Sequence, residues 1–306
     1  MGSTDGDGSP SALALVAFLA ASTLGGVNFL AVRLSNRELD PFWGATMRFG
    51  LAAVLFVVIA AALRLRWPRG RELALTAAYG ALAFAVSYAL MYWALVRVTA
   101  GVAAVVFAIV PLATLLLAAA QGLERVRLRG IAGALLAVAG IAVISAPGEV
   151  VLPLSALAAL LGATVSVAQS IILGKRISGN HPVMTNAVAM SVGAALLLAF
   201  SAVAGESWVV PRHAEARWAV AYLAVLGSAG MFVLVLLVVR KWTASASSYM
   251  SVLFPVVTIG LGAWIVDEPI TRSAVAGAAL VMSGVWIGAL SPAARLPAAL
   301  PPVEVA

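Results

Sequence analysis

No cysteine occurs anywhere in this chain, so disulfides, thiol nucleophiles and thiolate metal sites are excluded. The two histidines, His181 and His213, fall in polar links between apolar runs and suggest neither a metal centre nor a catalytic triad. Charge is scarce. Asp, Glu, Lys and Arg together make up 10% of the 306 residues, too little to cover a soluble surface. The twelve acids are Asp5, Asp7, Glu38, Asp40, Glu72, Glu124, Glu149, Glu206, Glu215, Asp267, Glu268 and Glu304, and none lies in the middle of an apolar run. Proton relays across membranes use embedded carboxylates or histidines, so proton coupling has no group to work through. An enzyme is not expected either, because no embedded His, Asp, Glu or Lys is available to activate a serine. No Walker-type phosphate loop occurs, so ATP is not the direct energy source. Residues 1–11 lack the positive start and cleavage site of a secretory signal and read as a disordered cytoplasmic tail. The Pro- and Ala-rich residues 291–306 read the same way.

What fills the chain instead is apolar: 63% of residues are hydrophobic. The runs are continuous rather than alternating, which points to helices and not to a β-barrel. Ten spans are predicted, near 12–33, 42–64, 72–95, 99–122, 128–146, 153–174, 182–204, 216–239, 243–266 and 272–290. The fold class is thus an all-α, multi-pass membrane protein. The net charge of +7 does not indicate nucleic acid, because the basic residues sit between the spans. The termini and even-numbered links hold twelve Lys and Arg, and the odd-numbered links six. By the positive-inside rule both termini are cytoplasmic, and the location expected is a bacterial inner membrane. The partners expected are the lipid bilayer and a small-molecule substrate, with no cofactor, and the chain is expected to act as a monomer.

The chain also repeats itself. Thr99, Ala100, Pro111, Thr114, Glu124, Gly133 and Gly140 return 144 residues later as Thr243, Ala244, Pro255, Thr258, Glu268, Gly277 and Gly284. The front halves match at a spacing of 141, where Pro41 meets Pro182 and Asn28 meets Gln169. The reading is a duplication, with a first repeat at 12–146 and a second at 153–290. Five spans per repeat is an odd number, so the second copy must be inverted, an architecture of transporters.

Specific motifs then carry a resemblance. They are Gly25-Gly26-Val27-Asn28-Phe29, Arg48-Phe49, Tyr92-Trp93-Ala94-Leu95, Thr99-Ala100, Pro111-Leu112, Gly122-Leu123-Glu124, Gly130, Gly133 and Gly140 in the first copy. The second copy has Pro255, Asp267-Glu268-Pro269-Ile270, Gly277 and Gly284. Together they resemble the EamA-type branch of the drug/metabolite transporter superfamily. That resemblance implies two EamA domains, ten helices with both termini inside, and alternating access. Members export amino acids, other metabolites or drugs.

Candidate residues follow from chemistry in apolar surroundings. Asn28 and Gln169 carry amides inside spans one and six, suited to a carboxylate or ammonium, or to an interhelical hydrogen bond. Tyr79 and Tyr88 on span three are further substrate-binding candidates, although nine residues of helix put them on opposite faces. Ser248 and Tyr249 form a polar patch before Pro255 on span nine. Pro111 and Pro255 are read as hinges beside a central cavity, or as plain kinks. Arg48 is the one charge well inside a span, two turns from its outer end, where snorkelling would relieve its cost. A gating or structural contact is favoured for it over a substrate carboxylate. Glu124 and Glu268 end spans four and nine, and pairing with Arg127 and Arg272 is expected in a structural role. Gly133, Gly140, Gly277 and Gly284, with Gly284-x-x-x-Gly288, are small residues for close helix contact. The function predicted is export of amino acids or similar small metabolites by alternating access, as facilitated diffusion without proton coupling. The alternatives are a proton-coupled multidrug or metabolite efflux carrier, and a channel.

Overall fold

A computed structural model of the chain describes residues 12–123, 128–144, 152–177, 180–231, 233–235 and 244–290. Glu124 and the side chains of Ser248 and Tyr249 lie outside the described residues. Every element among those described is helical. We label them α1 (Ala12–Ser35), α2 (Pro41–Ala62), α3 (Gly70–Leu95), α4 (Ala100–Ala120), α5 (Leu128–Ile144), α6 (Leu154–Gly174), α7 (Pro182–Ala204), α8 (Ala214–Val235), α9 (Ala244–Ile265) and α10 (Arg272–Val285, continued by Trp286–Leu290). By length and composition α1, α2, α3, α4, α6, α7 and α8 are long and apolar enough to cross a membrane. The apolar stretches of α5, α9 and α10 are shorter, at Leu128–Ile144, Met250–Ile265 and Arg272–Gly288. Outward-facing Val16, Val54, Leu135, Val138 and Val203 are each more than half exposed, a surface suited to hydrocarbon and not to water.

The duplication is visible in a pair of helix starts. Gly70 and Ala214 open α3 and α8 and lie 144 apart. Wide π-helical turns interrupt α3 at Ala81–Val86 and α8 at Val225–Gly230, again 144 apart. Pro41 and Pro182 provide the first residue of α2 and α7, where a proline loses no helical hydrogen bond. The two repeated prolines behave differently. Pro111 follows a real break, since α4 divides into Ala100–Phe107 and Val110–Ala120, whereas Pro255 sits inside an unbroken α9. Thr114 and Thr258 make the same bond in each copy, donating 2.8 Å to the carbonyls of Val110 and Phe254.

Close contact between helices depends on residues without a side chain. A Cβ on Gly140 would lie 2.7 Å from the Gly277 carbonyl oxygen, and one on Gly284 would lie 2.6 Å from that of Gly133. Numbers rise along α5 as they fall along α10, so the two helices run antiparallel with backbones touching. Between α1 and α9, Gly25 and Gly26 admit Phe254 and Val257.

The links at one end are tied by carboxylates. Glu206, past the end of α7, accepts from the Phe42 and Trp43 amides at 3.0 and 2.7 Å, capping α2. Asp40 accepts from the Ser207 amide at 2.8 Å, and Trp43 stacks on Trp208. Glu38 accepts from the amides of Arg212 (2.7 Å) and His213 (3.0 Å) and lies 2.7 Å from His213 Nδ1. The Arg212 bond, aided by His213, holds the Glu38 carboxyl below its ordinary value of 4.5. A depressed carboxyl stabilises the clasp fully above its unfolded value, and that support is lost as pH falls through the lower folded value. Amide-exchange protection at Arg212 and His213, relative to intrinsic rates, is therefore expected to hold above pH 4.5 and decline below it. Glu38→Gln should flatten that profile, and an unchanged acid decline in the variant would place the titrating group elsewhere.

Candidate functional site

The wide turn of α8 creates the site. A π-helical turn withdraws backbone carbonyls from the regular helical ladder, and in an apolar interior those carbonyls need donors. Gly227 and Ser228 lie in this turn. Asn28 on α1 donates from Nδ2 to the Gly227 carbonyl at 3.2 Å, and Arg48 on α2 donates from Nη2 to the same oxygen at 3.1 Å. Arg48 Nε donates to Ser228 Oγ at 3.1 Å, while Ser228 donates to Leu223 O at 2.9 Å. Gly227 is required by space, because a Cβ there would strike Asn28 Oδ1.

These residues edge an interior cavity of about 100 Å³. Its walls come from Gly25, Asn28, Phe29 and Val32 of α1, Arg48 of α2, Tyr88 and Met91 of α3, Phe107 at the break in α4, Gly227 and Met231 of α8, and Phe254 of α9. Arg48 is only 1% exposed. Its guanidinium carbon lies 4.8 Å from the Tyr88 ring centroid and 4.9 Å from that of Phe49, so two aromatic faces shelter the charge. Arg48 Nη1, Asn28 Oδ1 and the Tyr92 hydroxyl are buried with no hydrogen-bond partner. The rest of the lining is apolar and aromatic, the usual make-up of a small-molecule site.

The structure separates the candidates read from sequence. Asn28, Tyr88 and Arg48 meet at the cavity, and Pro111 and Pro255 flank its Phe107 and Phe254 walls along α4 and α9. Tyr79 lies outside it, edge-on to Phe84 and against Gly174 of α6. Gln169 also lies elsewhere, accepting from Gln121 Nε2 at 2.8 Å. Arg48 does not snorkel: it turns inward to α8, because two acceptors in the wide turn, the Gly227 carbonyl and Ser228 Oγ, lie 3.1 Å from its donors. Glu268 pairs with Arg33 at 2.9 Å, not with Arg272 as expected. The reason is Asp267, whose φ of 53° turns the chain back over the end of α9. The buried Glu268 carboxylate thereby also accepts from the Ala100 amide at the start of α4, while Arg33 donates to Val98 O. Gly227 and Ser228 were not singled out from sequence. A Gly-Ser pair inside an apolar run was the available signal.

Comparison with known proteins agrees with this architecture. A family model described as the EamA-like transporter family matches residues 12–146 and again 154–289. A protein of Archaeoglobus fulgidus described as an uncharacterized transporter is 28% identical over 267 residues, covering 87% of this chain and 94% of that protein. The uncharacterized inner membrane transporter YedA of Escherichia coli K12 is 27% identical over 258 residues, 84% of each chain. A probable terminal-alkyne amino-acid exporter of Streptantibioticus cattleyicolor is 38% identical over 101 residues, 33% of this chain and 34% of that one.

Proposed function

This chain belongs to the EamA-like transporter family, and on that premise we propose that it carries amino acids or similar small metabolites out of the cell by alternating access. It is a multi-pass membrane transporter, and the observation that carries the finer reading is the shared cavity. Helices α1, α2, α3 and α4 of the first repeat and α8 and α9 of the second all contribute walls. A site walled by both copies is the one place where a relative movement of the repeats changes access from one side to the other. In this reading the chain spans an inner membrane ten times, as YedA's description suggests for the location, with both termini cytoplasmic as the Lys and Arg distribution favours.

Inversion of the repeats is supported by α5 and α10. Gly133 corresponds to Gly277 and Gly140 to Gly284 by sequence, while Gly133 contacts Gly284 and Gly140 contacts Gly277 in space. Antiparallel contact between equivalent helices with that exchange of partners is what a two-fold axis in the membrane plane produces. The unequal state of Pro111 and Pro255 supports alternation, since two inverted copies in one conformation adopt opposite halves of the cycle. Substrate size is limited by the cavity. About 100 Å³ suits a small solute, whereas drug-sized ligands occupy pockets of about 300–1,000 Å³. The partial likeness to an amino-acid exporter favours the same class.

The test is counterflow in proteoliposomes containing the purified protein and preloaded with one of a panel of neutral amino acids. Labelled solute outside should enter transiently faster when unlabelled solute is inside. Equal rates into loaded and empty vesicles would indicate a channel and overturn the carrier reading.

A further inference from the structure

We propose that the solute must present a carboxylate and that Arg48 Nη1 is its anchor; this rests on the carrier reading above and names the group that the cavity selects. Arg48 is nine-tenths buried and more, at 1% exposure, and it lines the cavity. Its hydrogen-bond acceptors, Ser228 Oγ and Gly227 O, are both neutral. The ion pairs Arg33–Glu268, Arg37–Glu215 and His213–Glu38 do not reach it, and among the described residues no carboxylate lines the cavity. Among the described residues the guanidinium is therefore a buried positive charge without a carboxylate partner, and it cannot shed its proton. Such a charge is costly in a membrane interior unless something of opposite sign visits it.

The arrangement also indicates what visits. Nε and Nη2 are held by α8, which fixes the guanidinium plane, and Nη1 is left as an unpartnered donor. A free Nη1 donor on a positively charged guanidinium that lines the cavity matches a carboxylate oxygen. A single guanidinium neutralises a monoanion, whereas a phosphate ester would bring nearly twice the charge. Phe29, Phe107 and Phe254 form an apolar space for a short side chain. A merely structural Arg48 would not need Nη1 free, since Nε and Nη2 already satisfy the wide turn of α8.

Two sources of that carboxylate are distinguishable: a zwitterionic amino acid and a simple monocarboxylic acid. The experiment uses wild-type protein in detergent and L-alanine, L-threonine and L-leucine, each beside its amide and its des-amino acid. Ligand-dependent thermal stabilisation reads binding, and proteoliposome counterflow reads transport. Each amide is expected to bind at least ten times more weakly than its acid. Equal stabilisation by acid and amide, or stabilisation by amides alone, overturns the proposal. Des-amino acids that bind as well as amino acids would identify monocarboxylates as the class; failure of the des-amino acids would identify amino acids. Arg48→Gln should abolish the difference between acid and amide, and Arg48→Lys should restore part of it. Because wild-type protein supplies the first comparison, a variant that fails to fold does not remove the test. Counterflow of a solute without a carboxylate would leave the carrier reading standing and end the assignment to Arg48. Carboxylate-dependent binding without counterflow would do the reverse.

Discussion

Replacing both Gly133 and Gly140 by leucine is expected to abolish recovery of folded protein. Within a membrane the hydrophobic effect adds little to helix association, so packing of small residues and close backbone contact must supply it. At these positions nothing can yield. A Cβ on Gly140 meets the Gly277 carbonyl oxygen at 2.7 Å and the Val281 amide nitrogen at 2.9 Å, both backbone atoms. The Gly133 position is blocked in the same way by Gly284 and Gly288. Overpacking a close interface costs about 1–3 kcal/mol per substitution, and backbone contact puts these sites at the high end or beyond. Two such costs in one interface approach the total stability of about 5–15 kcal/mol typical of folded proteins. Gly50 is the control, because nothing lies within 4 Å of a Cβ built there. Gly50→Ala should be neutral or gain about 0.5–1 kcal/mol from helix propensity. Size-exclusion chromatography after graded heating would read both. A double variant as heat-resistant as wild type would show that the α5–α10 contact is dispensable.

The same glycines show how much of this fold was legible. Continuous apolar runs force helices because lipid offers no other partner for backbone groups, so the helix positions could be read directly. Matched Pro, Thr and Gly at a constant spacing exposed the duplication, and the wide turns of α3 and α8 repeat at the same spacing. The site was harder to read. Asn28, Tyr88 and Arg48 could be nominated because polar groups in apolar runs need partners, but the partner itself was hidden. Gly227 lies 199 residues from Asn28 and 179 from Arg48, and its carbonyl sits in the wide turn of α8. No local pattern announces a π-helical turn. Tyr79 and Gln169 satisfied the same chemical test yet pack elsewhere, since a polar residue in a span is equally useful as a contact between helices. The pairing of Glu268 with Arg33 depended on the left-handed Asp267, a non-glycine conformation that sequence spacing does not encode.

An imposed pH difference is expected to leave the end point of solute transport unchanged, with inside and outside concentrations equal. Proton-driven concentrative uptake requires a group that gains and loses a proton between the two open states. Among the described residues the cavity wall contains no carboxylate, histidine or lysine. Glu72 and Glu215 sit in the first turns of α3 and α8, and Glu268 lies past the end of α9, already engaged with Arg33 and the start of α4. Arg48 keeps its proton throughout. Its charge returns to the starting position at the end of each cycle, so net charge movement is that of the solute alone, and for a zwitterion that is zero. A membrane potential can then alter the rate at which an empty, positively charged cavity reorients without altering where transport stops. Under the proposed mechanism, export in the cell would follow from the solute's own gradient. Reconstituted vesicles loaded with a neutral amino acid, with and without a pH step, would read the final ratio. Accumulation several-fold above equality that a protonophore abolishes would require a titrating group outside this cavity wall. A ratio near one under both conditions would match a carrier whose single buried charge serves binding and not energy coupling.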